Sequence, residues 1–131
     1  MLSRADLIKI SNARLKDAEA LLRCHRYDGA VYLCGYALEL RLKARICRVL
    51  HWTDYPSTRS EFQDYLSFKT HDLDVLLRLA GTEGRIKAKH MAEWSTAAVW
   101  DPEVRYKPVG SATKQGAEDM IKAVKKLSKA L

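Results

Sequence analysis

Cysteine, glycine and proline are all scarce in this chain. Its 131 residues include three cysteines, Cys24, Cys34 and Cys47, and no C-x-x-C pair. An odd number does not suit a full disulfide set, and no His or Cys spacing suits a zinc site. Cys34 and Cys47 fall within apolar runs and read as small buried hydrophobes, which points to a reducing compartment, the cytoplasm. Six glycines and three prolines supply little punctuation for a many-stranded fold. Neither G-x-x-x-x-G-K-[ST] nor G-x-S-x-G occurs, which removes the phosphate loop and the nucleophile elbow from consideration. The opening MLSRADLIKIS carries charges among its apolar residues and lacks a continuous apolar core. It reads as neither a signal peptide nor a membrane span. No cofactor and no metal are expected.

What the chain has in quantity is helical periodicity. Leu7, Ile8, Leu15, Ala18, Leu21 and Leu22 fall on one broad helical face, with Ser3 placed to cap it. Residues 29–50, with Asp28 placed to cap them, are apolar almost all round, the pattern of a helix surrounded by others. Residues 51–69 are irregular and aromatic, and read as a loop with a short helix near 59–66. A third helix is expected over 71–80, capped by Thr70, and a fourth over 85–100. The fifth, over 111–131, carries the stripe Ala117, Met120, Ile121, Val124, Leu127 and Leu131. Short connections between long helices imply antiparallel neighbours. The expected architecture is all-α, a single domain over 1–131. It is an antiparallel up-down helical bundle of four long helices plus a shorter one.

The formal charge of +7 suits an acidic partner such as nucleic acid or nucleotide, and equally suits a basic surface with no partner. Within the central helix, YALELRLKARI places Glu39, Lys43, Arg41 and Arg45 in an otherwise apolar segment. Glu39 and Lys43 are four apart and share a face, so they can pair. A buried pair needs further partners, because removing two charges from water is costly.

Three landmarks stand in order along the chain. They are Ala37-Leu38-Glu39 with Leu42-Lys43-Ala44, then His71-Asp72-Leu73, then Arg105-Tyr106. With Tyr27-Asp28-Gly29-Ala30 ahead of them, this ordered set resembles the HEPN family of small helical bundles over nearly the whole chain. The resemblance implies nucleotide or RNA binding, and often ribonuclease activity. It implies a homodimer with its site along the dimer axis, and in many cases a partner nucleotidyltransferase of the MNT type in a toxin–antitoxin or phage-defence pair. Ribonuclease members carry R-x(4–6)-H near the start of the last long helix. Here Arg105 holds that position, but residues 110–112 are Gly110, Ser111 and Ala112, so the histidine is absent.

The reading that follows is a nucleotide- or RNA-binding protein that lacks the usual ribonuclease histidine, with Glu39, Lys43, His71, Arg105 and Tyr106 as contacts. Arg105 is expected to close over Glu39 with a bidentate contact. At His71 a structural role competes with a catalytic one. Trp100, near the Arg105 loop, is expected at an interface or against a base. Two rivals stand beside this reading. One is a metal-independent ribonuclease toxin using Arg105, or using Arg85 and His90, which form an R-x4-H one helix too early. The other is a non-catalytic protein-interaction module.

Overall fold

The computed structural model describes residues 1–131. Helix α1 spans Arg4–Arg23, and Ser3 caps it by accepting from the Asp6 amide at 3.0 Å. A three-residue connection leads into α2, Tyr27–Leu50. Such a short link folds the two helices back on each other, and Ser11 in α1 donates to the Ala37 carbonyl in α2 at 2.6 Å. The remaining helices are α3 at Leu73–Leu79, α4 at Glu83–Lys89, α5 at Met91–Ala97 and α6 at Lys114–Ala130. Strands β1 at Leu2–Ser3 and β2 at Asp54–Tyr55 form one short antiparallel pair, which the sequence pattern does not announce.

The core wraps around α2. Its buried residues include Ala30, Cys34, Ala37, Leu38, Leu42, Ile46 and Cys47. Apolar residues all round the helix demand neighbours on every side, and α1, α3 and α6 supply them. Contacts at both ends show that α6 runs parallel to α2. Asp28, at the start of α2, accepts from the amides of Gly110 and Ala112 just before α6. Arg45, near the end of α2, donates to the Leu131 carbonyl beyond the end of α6. The α4–α5 stretch runs the other way, since Gly81 lies by Val49 and Trp100 lies against Gly35. Helix α1 and the α4–α5 stretch thus run against α2, while α3, from His71 beside Glu39 to Gly81 beside Val49, and α6 run with it.

Four details differ from the sequence expectation. The fourth long helix is two short ones, because the His90 backbone (φ −135°, ψ 35°) leaves the helical region between α4 and α5. Three long helices and three short ones replace four and one. Asp72, not Thr70, caps α3, accepting from the Val75 amide at 3.1 Å. Asp28 caps nothing: both its carboxylate oxygens pin the loop before α6, and those two backbone hydrogen bonds hold its carboxyl below the usual range. Where a short helix is expected near 59–66, residues 59–64 form turns, followed by a 3-10 helix at Leu66–Phe68.

Gly35 and Trp100 set the packing of the middle layer. A Cβ at Gly35 would lie 2.0 Å from the indole of Trp100. Only glycine lets the indole lie on the α2 backbone here. Trp100 is 3% exposed and belongs to the core, which corrects its assignment to an interface or a stacked base. Trp94 is also buried, its indole N–H donating to Asp74 at 2.9 Å.

Candidate functional site

Glu39 is 2% exposed in the middle of α2. Its Oε1 accepts from Lys43 Nζ at 2.8 Å and lies 2.7 Å from His71 Nδ1. A buried carboxylate needs such partners, since desolvation would otherwise penalise the charge. Lys43 is one helical turn away, so α2 supplies the first partner by its own geometry. His71 comes from the turn before α3, which packs on α2. A carboxylate opposite Nδ1 is met by Nδ1–H, and that tautomer leaves Nε2 free on a side chain 58% exposed. Oε2 of Glu39 is buried without a partner. Lys43 also lies 5.4 Å from the ring centre of Tyr55, whose hydroxyl donates to the Phe68 carbonyl at 2.7 Å.

Arg105 does not close over Glu39, and no ion pair joins them. The third partner of the buried pair is His71 instead. Arg105 lies in a 3-10 helix, Pro102–Tyr106, with its guanidinium 4.7 Å from the Tyr106 ring centre. The neighbouring phenol of Tyr106, and then that of Tyr32, raises the guanidinium further above its usual range. Tyr32 precedes Glu39 by seven residues, about 10 Å along a helix axis. That offset is why the arginine and the carboxylate stand apart.

Tyr36 bridges the gap. Its ring meets Tyr32 edge-on at 5.1 Å, His71 at 6.4 Å and Trp100 at 5.1 Å. Burial, then the neighbouring Tyr32, push its phenol up to about 12, so it stays protonated and available as a donor. The result is a continuous row on one side of the bundle: Tyr106, Arg105, Tyr32, Tyr36, His71, then the Glu39–Lys43 pair. Five of these residues, Glu39, Lys43, His71, Arg105 and Tyr106, are the ones singled out in the sequence. Tyr32 and Tyr36 are not. Their signal is their four-residue spacing on the turn before the Ala37–Ala44 motif, which puts both on the face of Glu39.

The row has a polarity. Beyond His71, a cavity of about 350 Å3 is lined by Asp72, Asp74, Asp101 and Glu103. Three of those carboxylates are already engaged, with the Val75 amide, the Trp94 indole and the Glu103 amide respectively. An anion approaching the row is repelled on that flank and drawn to the Arg105 flank. Arg85 and His90 stand elsewhere. Arg85 is exposed on α4 and no hydrogen bond or ion pair joins it to His90, whose Nδ1 is buried without a partner. No three His, Cys, Asp or Glu side chains come together where they could hold a metal ion. No helix is long and apolar enough to cross a membrane.

No curated protein and no solved structure matches the chain. A family model does, over residues 5–131, and it takes in all of the helices but their first residue, Arg4, and every residue of the row just described. On that match the chain belongs to the HEPN domain family.

Proposed function

We propose that the chain binds nucleotide or RNA through the row from Tyr106 to Lys43, with Arg105 taking the phosphate. The observation that carries this reading is an exposed guanidinium with no carboxylate partner, set between two phenols in a row that ends on a histidine held by a buried carboxylate. A planar guanidinium suits a phosphate because it donates in a fork. Tyr106 and Tyr32 offer faces and hydroxyls to a base or a ribose. The Glu39–Lys43 pair neutralises itself and holds His71, whose Nε2 reaches outward as an acceptor. No histidine stands at the family's ribonuclease position after Arg105, so the proposed role is binding.

A homodimer fits this site. Val99, Tyr106 and Val109 are exposed apolar side chains on the loops around Arg105. A second copy covering them would dry the phosphate contact. A nucleotidyltransferase partner of the MNT type, in a toxin–antitoxin or defence pair, is the corresponding cellular setting.

Titration of labelled single-stranded RNA and of a mononucleotide, followed by anisotropy and calorimetry, tests the reading. Arg105→Ala should weaken both by roughly tenfold or more, the effect of losing a charge-assisted contact of about 1.5–3 kcal/mol. Unchanged affinity for both ligands would refute the assignment of Arg105.

A further inference from the structure

A group of unpaired arginines lies away from the row. Arg45 and Arg48 are on the last turns of α2, Arg4 opens α1 and Arg85 lies on the first turn of α4. The folded chain gathers all four at one end of the bundle. The Arg4 amide donates to the Thr53 carbonyl, just past α2, and the turn at Gly81 packs beside Val49. Burial, followed by the like charges of Arg48, Arg85 and Arg4, lowers the Arg45 guanidinium from its usual range.

None of the four makes an ion pair with a carboxylate, although Lys43, Lys87, Lys125 and Lys126 all do. The acidic residues nearest in the chain, Asp6, Asp54, Glu61 and Glu83, join none of them: Asp6 accepts from Ser3, Glu61 holds the N-terminal ammonium and Glu83 pairs with Lys87. Helix-end charge accounts for half of the group. Arg48 in the last turn of α2, and Arg45 on the carbonyl of Leu131, complement helix C-termini. Arg4 and Arg85 sit in first turns, where a cation is opposed. Bringing four guanidiniums together with no carboxylate paired to any of them raises the energy of the free protein, and a chain of phosphates relieves it.

An aromatic cluster adjoins this end. Trp52 follows α2 directly and packs on Tyr65 at 5.2 Å and Phe68 at 4.9 Å between ring centres. Tyr65 is 45% exposed. Guanidiniums beside an accessible aromatic face are the elements that hold single-stranded nucleic acid. We propose that Arg4, Arg45, Arg48 and Arg85 form a second phosphate-binding surface, separate from Arg105, that takes the backbone of a single RNA strand while Tyr65 stacks on a base. Arg45 lies six residues beyond Glu39, about 9 Å along α2 and about 120° around it, so this surface and the row are distinct faces.

The test uses the full chain, a labelled single-stranded RNA and a salt titration. Arg48→Glu with Arg85→Glu changes two exposed side chains, and a thermal melt confirms folding. The pair should weaken RNA binding by more than about tenfold and flatten the log–log salt slope by about 1.4, the value for two contacts on a single strand. Lys16→Glu on α1 with Lys122→Glu on α6 changes the net charge equally at exposed sites away from the arginine group and should cost less than about threefold. Equal losses from the two pairs, or no loss from the arginine pair, would overturn the proposal. Inorganic polyphosphate should compete less well than RNA of the same phosphate number, and Tyr65→Ala should remove that difference. Equal competition with the unmodified chain would overturn the assignment to nucleic acid. Mononucleotide binding at Arg105 should survive the arginine reversals, so failure of the first site and failure of the second are read separately.

Discussion

Replacing Gly35 with alanine should destabilise the protein, although alanine is the better helix former. In an exposed helix the change would stabilise by about 1 kcal/mol. At Gly35 the new Cβ would lie 2.0, 2.1 and 2.2 Å from three atoms of the Trp100 indole, far inside any real contact. The rigid bicyclic ring cannot yield by a rotamer adjustment of its tip, so it must leave its site or push α2 from its neighbours. Overpacking costs about 1–3 kcal/mol, and losing a buried tryptophan outright costs about 3–5 kcal/mol. Less the propensity gain, the net loss runs from about 2 kcal/mol, for overpacking at its upper end, to about 4 kcal/mol, for an expelled indole, a fall in Tm of about 7–15 °C for a chain of this size. Urea denaturation followed by tryptophan fluorescence measures it, with a red-shifted native spectrum as the indole meets water. The decisive comparison is Gly35→Ala in a Trp100→Ala background, where the clash is gone and the substitution should be neutral or stabilising by up to about 1 kcal/mol. An equal destabilisation in both backgrounds, or none in the parent, would refute the packing argument. The same displacement would reach the candidate site, because Trp100 supports Tyr36 at 5.1 Å.

Two further predictions concern charge. Lys43→Met leaves Glu39 buried with His71 as its one remaining partner, and should cost about 2–4 kcal/mol by urea denaturation. The double change Glu39→Leu with Lys43→Met should recover most of that loss, and a double variant no more stable than the single would contradict a buried, self-neutralising pair. Asp28 has its folded-state carboxyl held below the usual range by the Gly110 and Ala112 amides. Its contribution is therefore present above the unfolded carboxylate range, near pH 4, and fades as pH falls through the lower folded value. Asp28→Ala should lower the urea midpoint at pH 7 and lower it less at pH 3; a deficit independent of pH would show that the carboxylate charge plays no part in tying down the loop.

The helices were legible where burial repeats. The apolar girth of 29–50 marked the central helix, and the stripe of the last helix marked α6, because a face that must be buried leaves a period in the sequence. The break at His90 left no such mark. No proline or glycine stands there, and either arrangement of 83–97 places apolar side chains inward. The β1–β2 pair is two residues long on each side, too short for an alternation to register.

At the site, residue types were legible and distances were not. Glu39 with Lys43 follows from helical spacing alone. His71 as the third partner does not, because it depends on where the turn before α3 comes to rest, 32 residues further on. Arg105 was placed over Glu39 by charge complementarity, and the fold instead delivers it two turns of α2 away, beside Tyr32. Trp100 likewise reads as a surface aromatic until Gly35 is found beneath it.

By itself, then, the amino-acid order settled the all-helical character, the buried central helix, the Glu39–Lys43 pair and the family. Each of these depends on neighbours a few residues apart, or on motifs kept in order. Tertiary structure alone decided which cation meets Glu39, which aromatic fills the gap at Gly35 and which arginines gather without ion-pair partners at the far end of α2. Those outcomes are set by contacts across tens of residues, where the angle and register of packed helices govern distance and no local period records them.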